Sequence, residues 1–171
     1  MATFVDELKD ALRTKKLKKL DGKGGGGCIN HGEAYEIDDE KIVFVKTCSK
    51  ENAAEIICGE YESLKAIRST HTVKVPQPHV VVADPDSTDM SLVMEYIEMS
   101  SLSKQQAALG EKLAELHLHN SKKQEFREYS NSYLGQSRNN DEDCVYIEEF
   151  GFDSVTCCGS IPMVIIIYYL I

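Results

Sequence analysis

Tryptophan is absent from this chain of 171 residues, and proline occurs four times. Its cysteines, at positions 28, 48, 58, 144, 157 and 158, include no C-x-x-C pair, so the usual spacing of a zinc site is missing. Basic residues are also short, 19 against 28 acidic ones, and the formal charge of −9 excludes a nucleic-acid partner held by phosphate neutralisation. No apolar run approaches the roughly 20 residues that a membrane-spanning helix needs, and the closing MVIIIYYLI is too short for it. The opening MATFVDELKD is acidic and without a long apolar stretch, so a cytoplasmic location, reduced thiols and no membrane partner are expected. No internal repeat is visible.

What is present is concentrated glycine. In GGGGCINHGEAY, Gly24 to Tyr35, the glycines suit either a slack linker or a backbone that comes close to a phosphate. Just before it, Lys15, Lys16, Lys18 and Lys19 alternate with Leu12, Leu17 and Leu20, a pattern that predicts the solvated face of a short amphipathic helix.

Residues Ala34 to Ile37 and Lys41 to Cys48 read as strands around the acidic turn Asp38-Asp39-Glu40. Alternation in the second, KIVFVKTC, puts Ile42, Phe44 and Lys46 on one face and Val43 and Val45 on the other. A lysine closing an apolar strand either snorkels to water or meets a specific partner. The segment from Lys50 to Ser69 has helical spacing, with Ala53, Ile57, Leu64 and Ile67 on one stripe and Glu60 among them. A carboxylate there needs a cation or a route to solvent. A further strand is expected from His79 to Ala83, then the turn Asp84-Pro85-Asp86-Ser87 and the apolar run Leu92-Val93-Met94. Ser103 opens a second helix whose core side is Ala107, Leu109, Leu113, Leu116 and Leu118, whereas Asn120 to Asp143 is polar and reads as a mobile loop with at most some helix near its start.

A glycine-rich turn, a strand lysine, an inward helix glutamate and a hairpin ending at Met94-Glu95-Tyr96-Ile97 follow one another as in the small lobe of a protein-kinase-like fold. The wording is more specific. GGGGCINHGEAYEID, VFVK, GEYESLKAIRSTHTVKVPQP, LVMEYIEMSSLS, LGEKLAELHLHN and FGFDSVTCCGSIP closely resemble the fructosamine-3-kinase and ketosamine-3-kinase family, up to Pro162. The resemblance implies an α+β fold, a protein-kinase-like N-lobe of antiparallel sheet plus one C-type helix, followed by the first helix of an incomplete helical C-lobe. The N-lobe is placed at 1–97, hinge and first C-lobe helix at 98–120, a polar loop at 121–145, and the start of the C-lobe with its apolar tail at 146–171. The implied activity is ATP-dependent phosphorylation of the sugar 3-hydroxyl of ketosamines, ribulosamine or fructosamine, on glycated protein lysines.

Carried onto this sequence, the resemblance implies ATP-binding positions Gly27, Cys28, Ile29, Asn30 and Gly32 in the glycine-rich turn. Lys46 is then the ligand of the α- and β-phosphates and Glu60 its orienting partner. Met94 stands behind the adenine, and Glu95, Tyr96 and Ile97 lie along its edge. Phe44, on the face of Lys46, is the expected roof of the base. Cys28, a thiol among anion-attracting amides, is either a redox-sensitive group, with a disulfide-linked homodimer as one consequence, or a small side chain tolerated at a turn. The family's H-G-D catalytic loop and magnesium-binding D-P motif have no counterpart, Asp84-Pro85 being in a hairpin turn. No catalytic or metal-binding residue is therefore expected in this chain. Magnesium ligands are expected elsewhere in the family fold, and little activity is expected from this chain alone. The alternative reading is a non-catalytic nucleotide-binding or redox-responsive fragment that binds the full-length enzyme.

Overall fold

A computed structural model describes residues 2–26, 30–99, 105–133, 156–158 and 161–163. The chain opens with helix α1, Phe4–Leu12, started by a capping box. Thr3 Oγ1 accepts from the Asp6 amide at 3.3 Å, and the Thr3 amide donates back to Asp6 Oδ2 at 2.9 Å. Arg13 then adopts φ 52° and ψ 42°, a left-handed cap that ends the helix.

The amphipathic helix expected around Leu12, Leu17 and Leu20 is therefore not what forms, because Leu17–Gly26 is strand β1. Two lysines near its start find cross-strand partners: Lys16 pairs with Glu36 and Lys19 with Glu33, both on strand β2, Asn30–Ile37. Asp38 also accepts from the amides of Lys15 and Lys16 at 3.0 and 3.1 Å. Pairing along a whole strand outweighs a local helical pattern worth a few tenths of a kcal/mol per residue.

Strand β2 turns through a 3₁₀ helix at Asp38–Glu40 into β3, Ile42–Cys48, the expected hairpin with β2 beginning earlier than predicted. Strands β4, Pro78–Ala83, and β5, Met90–Glu95, complete an antiparallel sheet in the order β1-β2-β3-β5-β4. The β4–β5 turn is fixed by the Asp86 amide bonding Asp84 Oδ1 at 3.0 Å and the Asp84 amide bonding the Asp89 carbonyl at 3.0 Å.

The two faces of the sheet bury against two helices. Val43, Val45, Val82 and Val93 pack with Leu8 of α1. On the opposite face, Cys48, Leu92 and Met94, with Phe44 beside them, pack on Ala53, Ile56 and Ile57 of helix α2, Ala53–Ser69. This is the alternation read from KIVFVKTC, and the helix begins three residues later than the spacing suggested.

Helix α3, Gln106–Tyr133, departs from expectation twice. Leu109, Leu113 and Leu118, assigned to the core, are 42%, 41% and 53% exposed. Residues 121–133, assigned to a polar loop, are helical, because Lys, Gln, Glu and Arg have helix propensities close to the best and suit a helix as well as a loop. Residues 134–145 lie outside the described ones. From the last segment, β6, Thr156–Cys158, pairs antiparallel with β7, Ile161–Met163, and β6 lies alongside α2. Among the described residues no helix is long and apolar enough to cross a membrane.

Candidate functional site

Strand register sorts the α2-facing side of the sheet into two neighbouring rungs. Leu20 lies opposite Ala34, Ala34 opposite Phe44, and Phe44 opposite Met94. The next rung runs from Gly25 to Gly32, Gly32 to Lys46, and Lys46 to Leu92. Residues directly opposite in antiparallel strands project to the same face. An apolar strip thus sits beside a strip of two glycines and a cation.

Gly32 is where the two strips interlock. A Cβ there would fall 2.3 Å from Phe44 Cζ and 3.1 Å from the Gly25 carbonyl oxygen. The phenyl ring therefore leans diagonally across β2 onto a bare backbone. At Gly24 a Cβ would meet the Gly32 carbonyl oxygen at 2.6 Å, so β1 approaches β2 more closely than any side chain permits.

Lys46 reaches from its rung to α2. Its Nζ donates to Glu60 Oε1 at 2.7 Å and to Oε2 at 2.6 Å, with the two side chains 26% and 28% exposed. Helical spacing sets this geometry: Ile57, fully buried, anchors one turn of α2 against the sheet, and Glu60 follows on the same side. Of the two readings of the strand lysine, the specific partner is the one realised. Solvent still screens such a pair, so it contributes more to the placement of the ammonium than to stability.

Between the Leu20–Ala34 and Gly25–Gly32 pairs, β1 spends residues 21–24 where β2 spends only Glu33. Gly22, at φ 73°, supplies the left-handed turn of this excursion. The excursion carries Lys23 outward, and its Nζ stands 5.3 Å from the centroid of the Tyr96 ring. On the other face of β2, Glu33 accepts from Lys19, from the Tyr35 hydroxyl at 2.6 Å and from His31 Nε2 at 2.8 Å. The Lys19 bond first, then the Tyr35 bond, holds the Glu33 carboxyl down at about 2. Burial, and then Glu33 itself, pushes the Tyr35 hydroxyl above its ordinary range.

Of the residues read from the sequence, Gly32, Lys46, Glu60 and Met94 are brought to one face together with Phe44. Asn30 begins β2 opposite Cys48, and its buried Oδ1 has no hydrogen-bond partner among the described residues. Glu95 is held in place by its own amide, which donates to the Gln77 carbonyl at 2.8 Å, and by its Oε2, which accepts from the Gln77 amide at 3.1 Å. Tyr96 and Ile97 follow, both half-buried. Gly27, Cys28 and Ile29 lie outside the described residues, and with them the redox expectation for Cys28. Sequence reasoning missed Leu20, Ala34 and Lys23. The first two emerge only from register, and the signal for Lys23 was a lone charge within Gly22 to Gly27. No set of three His, Cys, Asp or Glu side chains is grouped to hold a metal ion among the described residues.

A family model for fructosamine kinase matches residues 1–151. The chain is 44% identical over 146 residues to mouse (Mus musculus) ketosamine-3-kinase, covering 85% of this chain and 46% of that protein. It is 36% identical over 115 residues to a chloroplastic protein-ribulosamine 3-kinase of Oryza sativa subsp. japonica, covering 66% of this chain and 33% of the relative. A crystal structure named as a fructosamine-3-kinase of Haemophilus somnus 129PT shares the fold at TM-score 0.50 and 19% identity, over 94% of this chain and 45% of that one. The chain thus spans less than half the length of these curated relatives. It carries an α+β, kinase-like fold and belongs to the fructosamine kinase family.

Proposed function

We propose that these residues form the nucleotide-binding part of an ATP-dependent ketosamine 3-kinase. The observation that carries this reading is Lys46 Nζ held by both oxygens of Glu60 directly across the sheet from Gly32. An ammonium so placed is a fixed point charge beside a glycine that carries no side chain of its own, and a fixed positive charge is what a phosphate chain requires. The fit extends to the base. Leu20 and Phe44, the half-buried members of a strip that Ala34 and Met94 complete from within the core, offer apolar surface next to the cation, and a purine needs such surface at about this remove from its phosphates.

In this reading Lys46 binds the α- and β-phosphates and Glu60 keeps its ammonium aimed at them. Backbone amides between Gly27 and Gly32 cover the phosphates, with Asn30 at their edge. Phe44 roofs the base, Met94 stands behind it, and the Glu95 carbonyl and Ile97 amide bond its rim, with Tyr96 between them. Magnesium supplies charge neutralisation at the phosphates when bound, and its ligands are assigned outside the described residues. The relatives' names, ketosamine-3-kinase and protein-ribulosamine 3-kinase, support a ketosamine, free or on a glycated protein, as the acceptor. The acceptor and the transfer step are proposed for the whole protein. The part argued from this chain's residues is nucleotide binding.

The test is ATP-dependent thermal stabilisation of the wild type and of Lys46→Met, followed by phosphotransfer to a ribulosyl-lysine or fructosyl-lysine peptide. A ligand at a hundredfold excess over Kd stabilises by about 2.7 kcal/mol. That stabilisation should vanish in Lys46→Met. Stabilisation that survives the substitution overturns the role of Lys46. Phosphopeptide that depends on Lys46 supports the kinase reading, and stabilisation without product favours a nucleotide-binding module that does no chemistry.

A further inference from the structure

Strand β1 is at the edge of the sheet and, among the described residues, pairs only with β2, yet it carries Leu20 and Gly25, the outer ends of both rungs. An edge strand interrupted by an excursion is the least constrained wall of such a site. Lys23, in that excursion, is the exception. Its ammonium meets the ring of Tyr96, two residues beyond Met94 at the opposite end of the apolar rung. Strands β2 and β3 lie between, so at a spacing of about 4.8 Å the two attachment points are about 14 Å apart along the sheet. The Lys23–Tyr96 contact therefore spans the width of the two intervening strands.

We propose that Lys23 and Tyr96 form a tether that fixes the gap between β1 and the segment after β5, and that this tether sets how tightly a purine base is gripped. The proposal rests on the nucleotide reading above. It makes Lys23 a positioning residue and separates it from Lys46: the tether ends beyond Met94, at the end of the apolar rung, whereas Lys46 serves the phosphates. The consequence is specific. Loss of the tether weakens every ligand that contains the base, whether or not it carries phosphate.

The experiment compares Kd for adenosine and for ATP in the wild type, Lys23→Met, Lys23→Arg, Tyr96→Leu, Tyr96→Phe and the Lys23→Met/Tyr96→Leu pair. Amide hydrogen exchange of residues 22–25 is followed in the same proteins without nucleotide. Lys23→Met and Tyr96→Leu should each weaken adenosine and ATP by the same factor, roughly two- to fivefold, the size of an exposed cation–π contact. The double variant should be no weaker than either single one, and Lys23→Arg and Tyr96→Phe should keep most of the affinity. Exchange at 22–25 should quicken in both disruptive variants. A loss confined to ATP shows Lys23 touching phosphate and overturns the tether, as do additive losses or unchanged exchange. Failure of the wild type to bind either ligand overturns the nucleotide reading, and with it the tether's role in gripping a base. Failure of the tether alone leaves wild-type binding intact.

Discussion

The ring of Phe44 rests on the backbone of Gly32, so closely that a Cβ at Gly32 would sit 2.3 Å from Phe44 Cζ. Phe44 and Gly32 belong to adjacent rungs, and the diagonal contact joins the apolar strip to the strip that holds Lys46. Cross-strand aromatic contact with a strand glycine also covers backbone that would otherwise be bare, which offsets the entropic disadvantage of glycine in a strand. One pair thereby serves both the fold and the shape of the site.

Gly32→Ala should consequently destabilise the chain by about 1–3 kcal/mol, the usual penalty for forcing extra volume into a packed position. The ring must move, and the Gly25 carbonyl at 3.1 Å blocks the other direction. Urea denaturation of Gly32→Ala, in the native background and in Phe44→Leu, measures the coupling. The penalty should shrink when the ring is gone. An equal penalty in both backgrounds shows that the clash with Phe44 is not its source.

Glu60→Ala frees Lys46 without touching the sheet core. Because both partners are about a quarter exposed, the fold should lose at most about 1 kcal/mol. Nucleotide affinity should fall about tenfold or more, since an ammonium that is no longer held loses charge-assisted geometry worth roughly 1.5–3 kcal/mol. Thermal melting and ATP titration separate the two effects. A large fall in Tm with Kd unchanged would mean that the pair is a structural bolt rather than an aiming device.

Glu33 makes stability depend on acid in a defined window. Its carboxyl is held at about 2, against an ordinary 4.5, by the bond from Lys19 and then by that from Tyr35. A depressed carboxylate contributes stability that is complete above its unfolded value and is lost as pH falls through the folded one. The loss should therefore run from about 4.5 down to about 2. Glu33→Gln removes that contribution, so its denaturation midpoint should change less than that of the wild type between pH 5 and pH 2.5. Parallel profiles would show that the carboxyl titrates alike in the folded and unfolded chain.

Much of the site was legible because chemistry and periodicity agreed. KIVFVKTC alternates cleanly, so the faces of Phe44, Lys46, Val43 and Val45 followed from a period of two. Glu60 stood out because a carboxylate on an apolar stripe needs a partner. What escaped was non-local. The Leu20–Ala34–Phe44–Met94 rung depends on register across four strands, and register is set by pairing partners that no window of sequence contains. The lysines from 15 to 19 were misread for the same reason: their spacing fits a helix, while their partners Glu33 and Glu36 are on the next strand. The extended helix α3 was hidden by composition, since polar residues of good helix propensity also fill loops.

The left-handed stop of α1 yields a stabilising substitution. Arg13 stops α1 with φ 52°, a conformation that costs a residue with a Cβ roughly 1–2 kcal/mol and glycine almost nothing. Its amide donates to the Asp10 carbonyl at 3.1 Å and that of Thr14 to the Lys9 carbonyl at 3.0 Å, bonds that glycine keeps unchanged. Arg13→Gly gives back part of the gain because glycine is freer in the unfolded chain. The net should be about 0.5–1 kcal/mol, a rise in Tm of about 1–4 °C for a chain of this length. Arg13→Val, β-branched and averse to positive φ, should lower Tm instead. If both substitutions shift Tm in the same direction, the left-handed cap is not what ends the helix.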